Sequence, residues 1–170
     1  MKLATIRLAG GRTAAVRVDG DTLVEVGLPD VGALLALPDW REVAADATGP
    51  THAAADAAYA TLVSEPSKVV CVGLNYKTHI TEMGRDLPAW PTLFAKFADT
   101  LIGATDDIRR PVETGEFDWE VELAVVIGAP VRRATTAQAE AAIAGFTVLN
   151  DITCRDWQFR TREWLQGKNW

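Results

Sequence analysis

Glu120 and Glu122 stand two residues apart in DWEVELAVVIG, residues 118–128, where the chain otherwise reads as a buried β-strand. Strand side chains alternate between faces, so Glu120, Glu122, Ala124 and Val126 share one face, while Trp119, Val121, Leu123, Val125 and Ile127 share the other. Two like charges about 7 Å apart repel by about 2 kcal/mol at an effective dielectric of about 20. Desolvation adds to that cost, and a bound cation reverses its sign. Asp151 ends a second apolar strand, FTVLND, in the same positional sense. Three carboxylates without His or Cys suit a hard cation, Mg²⁺ first and Mn²⁺ or Ca²⁺ as substitutes, with the remaining positions open to water and substrate. Acids on the solvent face of an edge strand show the same alternation, so that reading stands beside the metal reading.

His79 precedes Glu82 by three residues in NYKTHITEMG. On a helical turn both side chains share a face, and the carboxylate can orient the imidazole to activate a water. A surface histidine beside a helical acid has the same spacing. His52, in an alanine-rich stretch, has no such neighbour and reads as surface. Arg155, Gln158, Arg160, Arg162 and Lys168 form a third group. Their forks and ammonium suit a carboxylate-bearing substrate or a developing enolate, and equally a solvated helix face interleaved with Asp156 and Glu163.

These groups need a scaffold to position them. The 170 residues allow one sizeable domain, or a main domain with an appendage, and the apolar content of 48% is that of a globular chain. Residues 1–26 alternate as a small antiparallel meander with a turn signal at Asp19-Gly20. From Val31 to Val63 the pattern turns helical and alanine-rich, with ADAAYATLV as a second helical run. SEPSK, residues 64–68, marks the boundary between a small N-terminal domain, 1–65, and a second domain, 66–170. There KVVCVG, TLFAKF, the strand after Asp118 and FTVLNDIT read as strands. TTAQAEAAIAG reads as a helix with a Thr135/Gln138 capping box and a stop at Gly145.

A net charge of −6 and a pI near 4.9 leave no basic stripe for nucleic acid or an anionic membrane. The start, MKLATIRLAGGRT, lacks the apolar core of a signal peptide, and no apolar run reaches the length of a membrane span. Cys71 and Cys154 are too few for a disulfide scaffold and have no partner at metal-ligand spacing. A cytoplasmic protein with small-molecule or protein partners is expected.

Taken in order, GLNYKTHITEMG, PTLFAKF, DWEVELAVVIG, GFTVLNDITCRDWQ and GKNW resemble the fumarylacetoacetate hydrolase family over about residues 66–170. The resemblance implies an α+β, mainly β fold, a mixed β-sandwich roll carrying a small N-terminal domain of the kind that precedes the catalytic region in many bacterial members. It also implies a divalent metal, usually Mg²⁺, and a homodimer. Glu120, Glu122 and Asp151 match the family's metal carboxylates, His79 its water-activating histidine, and Glu82 the acid paired with it. Gln158 and Lys168 fall where the family places an amide and a lysine near metal and substrate, although the usual G-K-S-F reads GKNW here. Arg155 matches an arginine of N-D-x-x-x-R-D, with a structural or carboxylate-pairing role. The activity implied is hydrolysis of a C–C bond in a 2,4-dioxo or acylpyruvate-like acid from aromatic-compound breakdown. Decarboxylation or isomerisation of a related keto acid on the same site is the alternative. Family members continue beyond position 170, so a non-catalytic fragment is a further alternative, and slow turnover by these 170 residues alone is expected.

Overall fold

The computed structural model describes residues 1–170. Two compact units divide them: Met1–Pro66 with Leu101–Ile108 and Glu122–Leu149, and Ser67–Thr100 with Arg109–Val121 and Asn150–Trp170. The sequence suggests two consecutive domains meeting near residue 65. The chain does leave the first unit at Pro66, but it returns to that unit twice.

The first unit begins as the meander its alternation predicts. β1 (Leu3–Arg7), β2 (Thr13–Asp19) and β3 (Thr22–Glu25) pair antiparallel in sequence order. Asp19 faces Thr22 across a two-residue turn, and Gly20 takes the φ of +62° that this turn needs. α1 (Val31–Leu35) starts at Asp30, whose carboxylate accepts from the Ala33 amide at 2.7 Å. α2 (Trp40–Ala45) follows, and β4 (Thr51–Ala53) returns to pair with β3. Ile6, Ala14, Val16 and Leu23 bury the inner face of the sheet.

ADAAYATLV is not the helix its alanines suggest. A short 3₁₀ turn at Ala54–Asp56 gives way to extended chain lying along β1, where the Arg7 amide donates to the Ala58 carbonyl and the Ala60 amide to the Thr5 carbonyl. The exposed donors and acceptors of β1 outweigh a helix preference worth only tenths of a kcal/mol per residue.

In the second unit β5 (Val69–Gly73) pairs antiparallel with β6 (Thr92–Lys96), and α3 (Lys77–Glu82) lies on the connection between them. β7 (Phe117–Asp118) closes this stretch of the second unit, and the chain runs on into β8 (Val121–Ile127), from which point Glu122–Leu149 belong to the first unit. β8 has the period of 2 read from sequence, but the large apolar side chains are on its open face. Leu123 is 62% exposed, while Glu122, Ala124 and Val126 are half-buried. α4 (Thr136–Ala141) carries the full Thr135/Gln138 capping box and ends at Ala142 rather than at Gly145. β9 (Ile143–Asn150) starts immediately and runs through Gly145, because its pairing with β8 satisfies the backbone that a longer helix would otherwise occupy.

β10 (Thr153–Cys154) pairs with β7, bringing Thr153 opposite Asp118. α5 (Arg155–Gln158) and α6 (Leu165–Lys168) then pack in near backbone contact. A Cβ added at Gly167 would lie 2.4 Å from the Gln158 nitrogen and 2.6 Å from the Cys154 carbonyl oxygen, so only glycine fits. Trp164, at a φ of +61°, turns the chain into α6 and sets its ring edge-on to Phe94 at 5.7 Å. No helix is long and apolar enough to cross a membrane.

Candidate active site

β6, the β7–β8 junction, the β9–β10 turn and the two last helices converge within the second unit on Asp151, which is fully buried. The turn is fixed by backbone: the Asp151 amide donates to the Glu120 carbonyl at 2.8 Å, and the Glu120 amide to the Asn150 side-chain oxygen at 3.2 Å. Glu120 and Asp151, 31 positions apart in sequence, are thereby held side by side.

Two lysines fill the space around them. Lys168 Nζ reaches Glu120 Oε2 at 2.9 Å, Asp151 Oδ2 at 2.7 Å and Thr153 Oγ1 at 2.8 Å. Lys96 Nζ takes the other Asp151 oxygen, Oδ1, at 2.7 Å and donates to the carbonyls of Ile152, at 3.3 Å, and Lys168. Both lysines are buried, so every ammonium hydrogen needs such an acceptor. Asn169 supports the arrangement from the next position. Its side-chain oxygen accepts from the Phe97 amide at 2.7 Å, and its side-chain nitrogen donates to the Ala95 carbonyl at 3.0 Å, tying α6 to the end of β6. That is the structural use of the asparagine in GKNW.

Arg155 extends the cluster. Its guanidinium bonds Glu120 Oε1 at 2.5 Å, Gln158 Oε1 at 3.0 Å, and Asp118 Oδ2 through Nε at 3.0 Å and Nη2 at 2.9 Å. The guanidinium holds the Asp118 carboxyl below the usual carboxylate range. Burial pushes the nearby Cys154 thiol up.

Of the residues singled out from sequence, Glu120, Asp151, Arg155, Gln158 and Lys168 come together here. Glu122 lies two residues on from Glu120, half-buried at the start of β8. No three acid, histidine or cysteine side chains converge on one point. Glu120 and Asp151 nonetheless share a cation already, the Lys168 ammonium. Their oxygen-only donor set, with the Thr153 hydroxyl beside it, is of the kind a hard divalent ion takes. α3 carries His79 and Glu82 on the predicted helical turn, both exposed and without a hydrogen bond or ion pair between them. His52, read as surface, is half-buried and bonds Glu25 Oε1 through Nε2 at 2.7 Å. Lys96, Thr153 and Asp118 are the members not foreseen. The signal for Lys96 is in TLFAKF, where a lone lysine closes an otherwise apolar strand.

Within the second unit a carboxylate–lysine cluster, its lysines and Asp151 buried, lies beside the short β7–β10 pair. The family model for the C-terminal domain of fumarylacetoacetate hydrolase matches residues 68–170, and the chain belongs to that family of enzymes. Oxaloacetate tautomerase FAHD2A, mitochondrial, of Homo sapiens is 46% identical over 108 residues, which are 62% of this chain and 34% of that protein. Fumarylacetoacetate hydrolase from the psychrophile Exiguobacterium antarcticum superposes with a TM-score of 0.82 at 26% identity, over all of this chain and 62% of that one. A 5-carboxymethyl-2-hydroxymuconate delta-isomerase from Mycobacterium smegmatis does so with a TM-score of 0.77 at 27% identity, again over all of this chain and 62% of that one. The stretch matched is thus about a third of the curated relatives' length, and the chain spans about three-fifths of the solved structures.

Proposed function

We propose that the chain contributes the enolate-stabilising half of a site that interconverts keto and enol forms of a small dicarboxylic keto acid. The observation that carries this reading is the Lys168 ammonium held between Glu120 and Asp151, with the Arg155 guanidinium on the far oxygen of Glu120. Positive charge fixed where an oxyanion develops acts without reorganisation, and removing one such donor elsewhere has cost about 10² to 10³ in rate. Arg155 and Lys168 meet substrate carboxylate and enolate oxygen, and Gln158, buried and bonded to Arg155, holds the guanidinium in plane. Glu120 and Asp151, with Glu122 adjoining, would hold a divalent ion, Mg²⁺ before Mn²⁺ or Ca²⁺. When bound, that ion supplies Lewis-acid polarisation of the keto oxygen. Likeness to a tautomerase and an isomerase supports enolisation as the outcome.

Hydrolysis of a C–C bond in an acylpyruvate-like acid is the second reading. The three-residue spacing of His79 and Glu82 on α3 favours it, with His79 activating a water and Glu82 orienting the imidazole. A panel of oxaloacetate and acylpyruvates, followed by enol absorbance with Mg²⁺ and by product identification, separates the two. Faster enol decay with the carbon skeleton intact is expected. Two-fragment products would move the assignment to hydrolysis.

We further propose a homodimer in the cytoplasm. The open apolar face of β8 supports the first, and two cysteines that form no disulfide suit the second.

A further inference from the structure

α5 carries Arg155 and Gln158 on four residues, far fewer than the roughly 12 to 15 an isolated helix needs, so its shape depends on what holds it. The hold comes from the segment that leads into β7. Four consecutive residues there each bond to α5. The Glu113 carbonyl accepts from Trp157 Nε1 at 3.2 Å, and the Thr114 hydroxyl donates to Asp156 Oδ1 at 2.5 Å. The Gly115 amide donates to Asp156 Oδ2 at 3.1 Å, and the Glu116 carbonyl accepts from the Arg155 amide at 2.8 Å. Thr114 is 2% exposed, and its hydroxyl also accepts from the Glu116 amide at 3.2 Å, which closes the turn. Its bond is the main cause that depresses the Asp156 carboxyl below its ordinary value, so the charged form is the one held. Two residues beyond Glu116, Asp118 Oδ2 takes Arg155 Nε and Nη2. One segment thus fixes Arg155 at both its backbone and its guanidinium, and the side chain keeps 28% of its surface open.

We propose that Asp156 and Thr114 are positioning residues for substrate recognition: their bond seats α5 and so sets where the Arg155 fork meets a substrate carboxylate. The inference rests on the role proposed above for Arg155. Neither residue touches substrate. Fork-to-carboxylate recognition depends on geometry, and a misplacement of about 1 Å can cost about 10²-fold. Removing the bond therefore acts at a distance, through Arg155, on the binding of carboxylate.

NMR on the full chain tests it, with the Arg155 Nε–H resonance as reporter and oxalate, a small molecule with two carboxylates, as probe. Oxalate should shift the wild-type signal. Asp156→Glu keeps both acceptors on an arm one carbon longer, and Thr114→Val removes the hydroxyl at nearly constant volume. Each should displace the Arg155 signal in the free chain and weaken oxalate binding about tenfold. Thr114→Ser gives up the methyl but keeps the hydroxyl, and it should retain the wild-type signal and affinity. Loss of packing alone would give the opposite order for Ser and Val. Wild-type signal and affinity in Asp156→Glu, or Thr114→Ser as weak as Thr114→Val, would overturn the positioning role while the role of Arg155 stands. An Arg155 signal indifferent to oxalate in the wild type would remove both together.

Discussion

Lys96 and Lys168 divide the Asp151 carboxylate between them, one oxygen each, both at 2.7 Å. Each lysine contributes a buried positive charge whose nearest compensation is that one side chain. Asp151→Asn keeps the shape and removes the charge, leaving the buried Lys96 ammonium with carbonyl acceptors only and Lys168 with Glu120 as its one remaining carboxylate. The expected loss is about 3 to 5 kcal/mol of folding stability, the usual cost of stranding a buried charge. Denaturant unfolding of the variant gives the number. A midpoint unchanged from wild type would mean that the lysines find other partners.

Gly167→Ala tests the contact between α5 and α6. The added methyl would meet the Gln158 backbone at 2.4 Å and the Cys154 carbonyl oxygen at 2.6 Å, and neither can rotate away. α6 must shift, and Lys168 moves with it. Overpacking of this kind costs about 1 to 3 kcal/mol. A lowered thermal midpoint is expected, and one equal to wild type would mean that α6 tolerates the methyl.

Arg7 and Asp106, 99 positions apart, form a two-pronged pair at 2.8 and 2.6 Å, and the Gly103 amide donates to Asp106 at 2.7 Å. The hydrogen bond from Arg7 is the main cause that depresses the Asp106 carboxyl below its ordinary value of 3.8. A depressed carboxylate stabilises the fold at pH above its unfolded value, and that contribution is lost as pH falls through the folded one. Asp106→Asn should therefore lower stability at neutral pH and flatten its fall below about pH 4. Urea unfolding at a series of pH values measures this, and parallel curves for the two proteins would count against it.

His79→Ala distinguishes a water-activating residue from a metal ligand. If hydrolysis is the reaction, the variant should lose about 10² to 10⁴ in rate with Mn²⁺ affinity unchanged. A parallel fall in affinity would place the imidazole on the metal.

The carboxylates were readable in the sequence because acids at the mouths of apolar strands conflict with their surroundings, and that conflict is local. Glu120 and Asp151 announce themselves in this way, and the meander follows from alternation and the Asp19-Gly20 turn. Lys96 could not be read so directly: its partners are 55 and 72 positions away, and no periodicity encodes such pairings. The helix expected at ADAAYATLV fails for a related reason, since the donors that hold it extended are on β1. β8 shows the right period and the unexpected facing. Alternation specifies two faces but not which one is covered.

The same separations set an order of events in folding. Lys168 meets Asp151, Glu120 and, through its carbonyl, Lys96 across 17, 48 and 72 positions, whereas β1 and β2 are joined by the short connection from Leu8 to Arg12. Closing long loops costs more chain entropy, so local pairings form first and the lysine–carboxylate cluster last. Interactions made after the rate-limiting step slow unfolding without hastening folding. Substitutions at Lys96, Asp151 and Lys168 should thus appear mainly in the unfolding limb of a chevron plot, which makes the cluster a latch on the native state rather than a nucleus for reaching it.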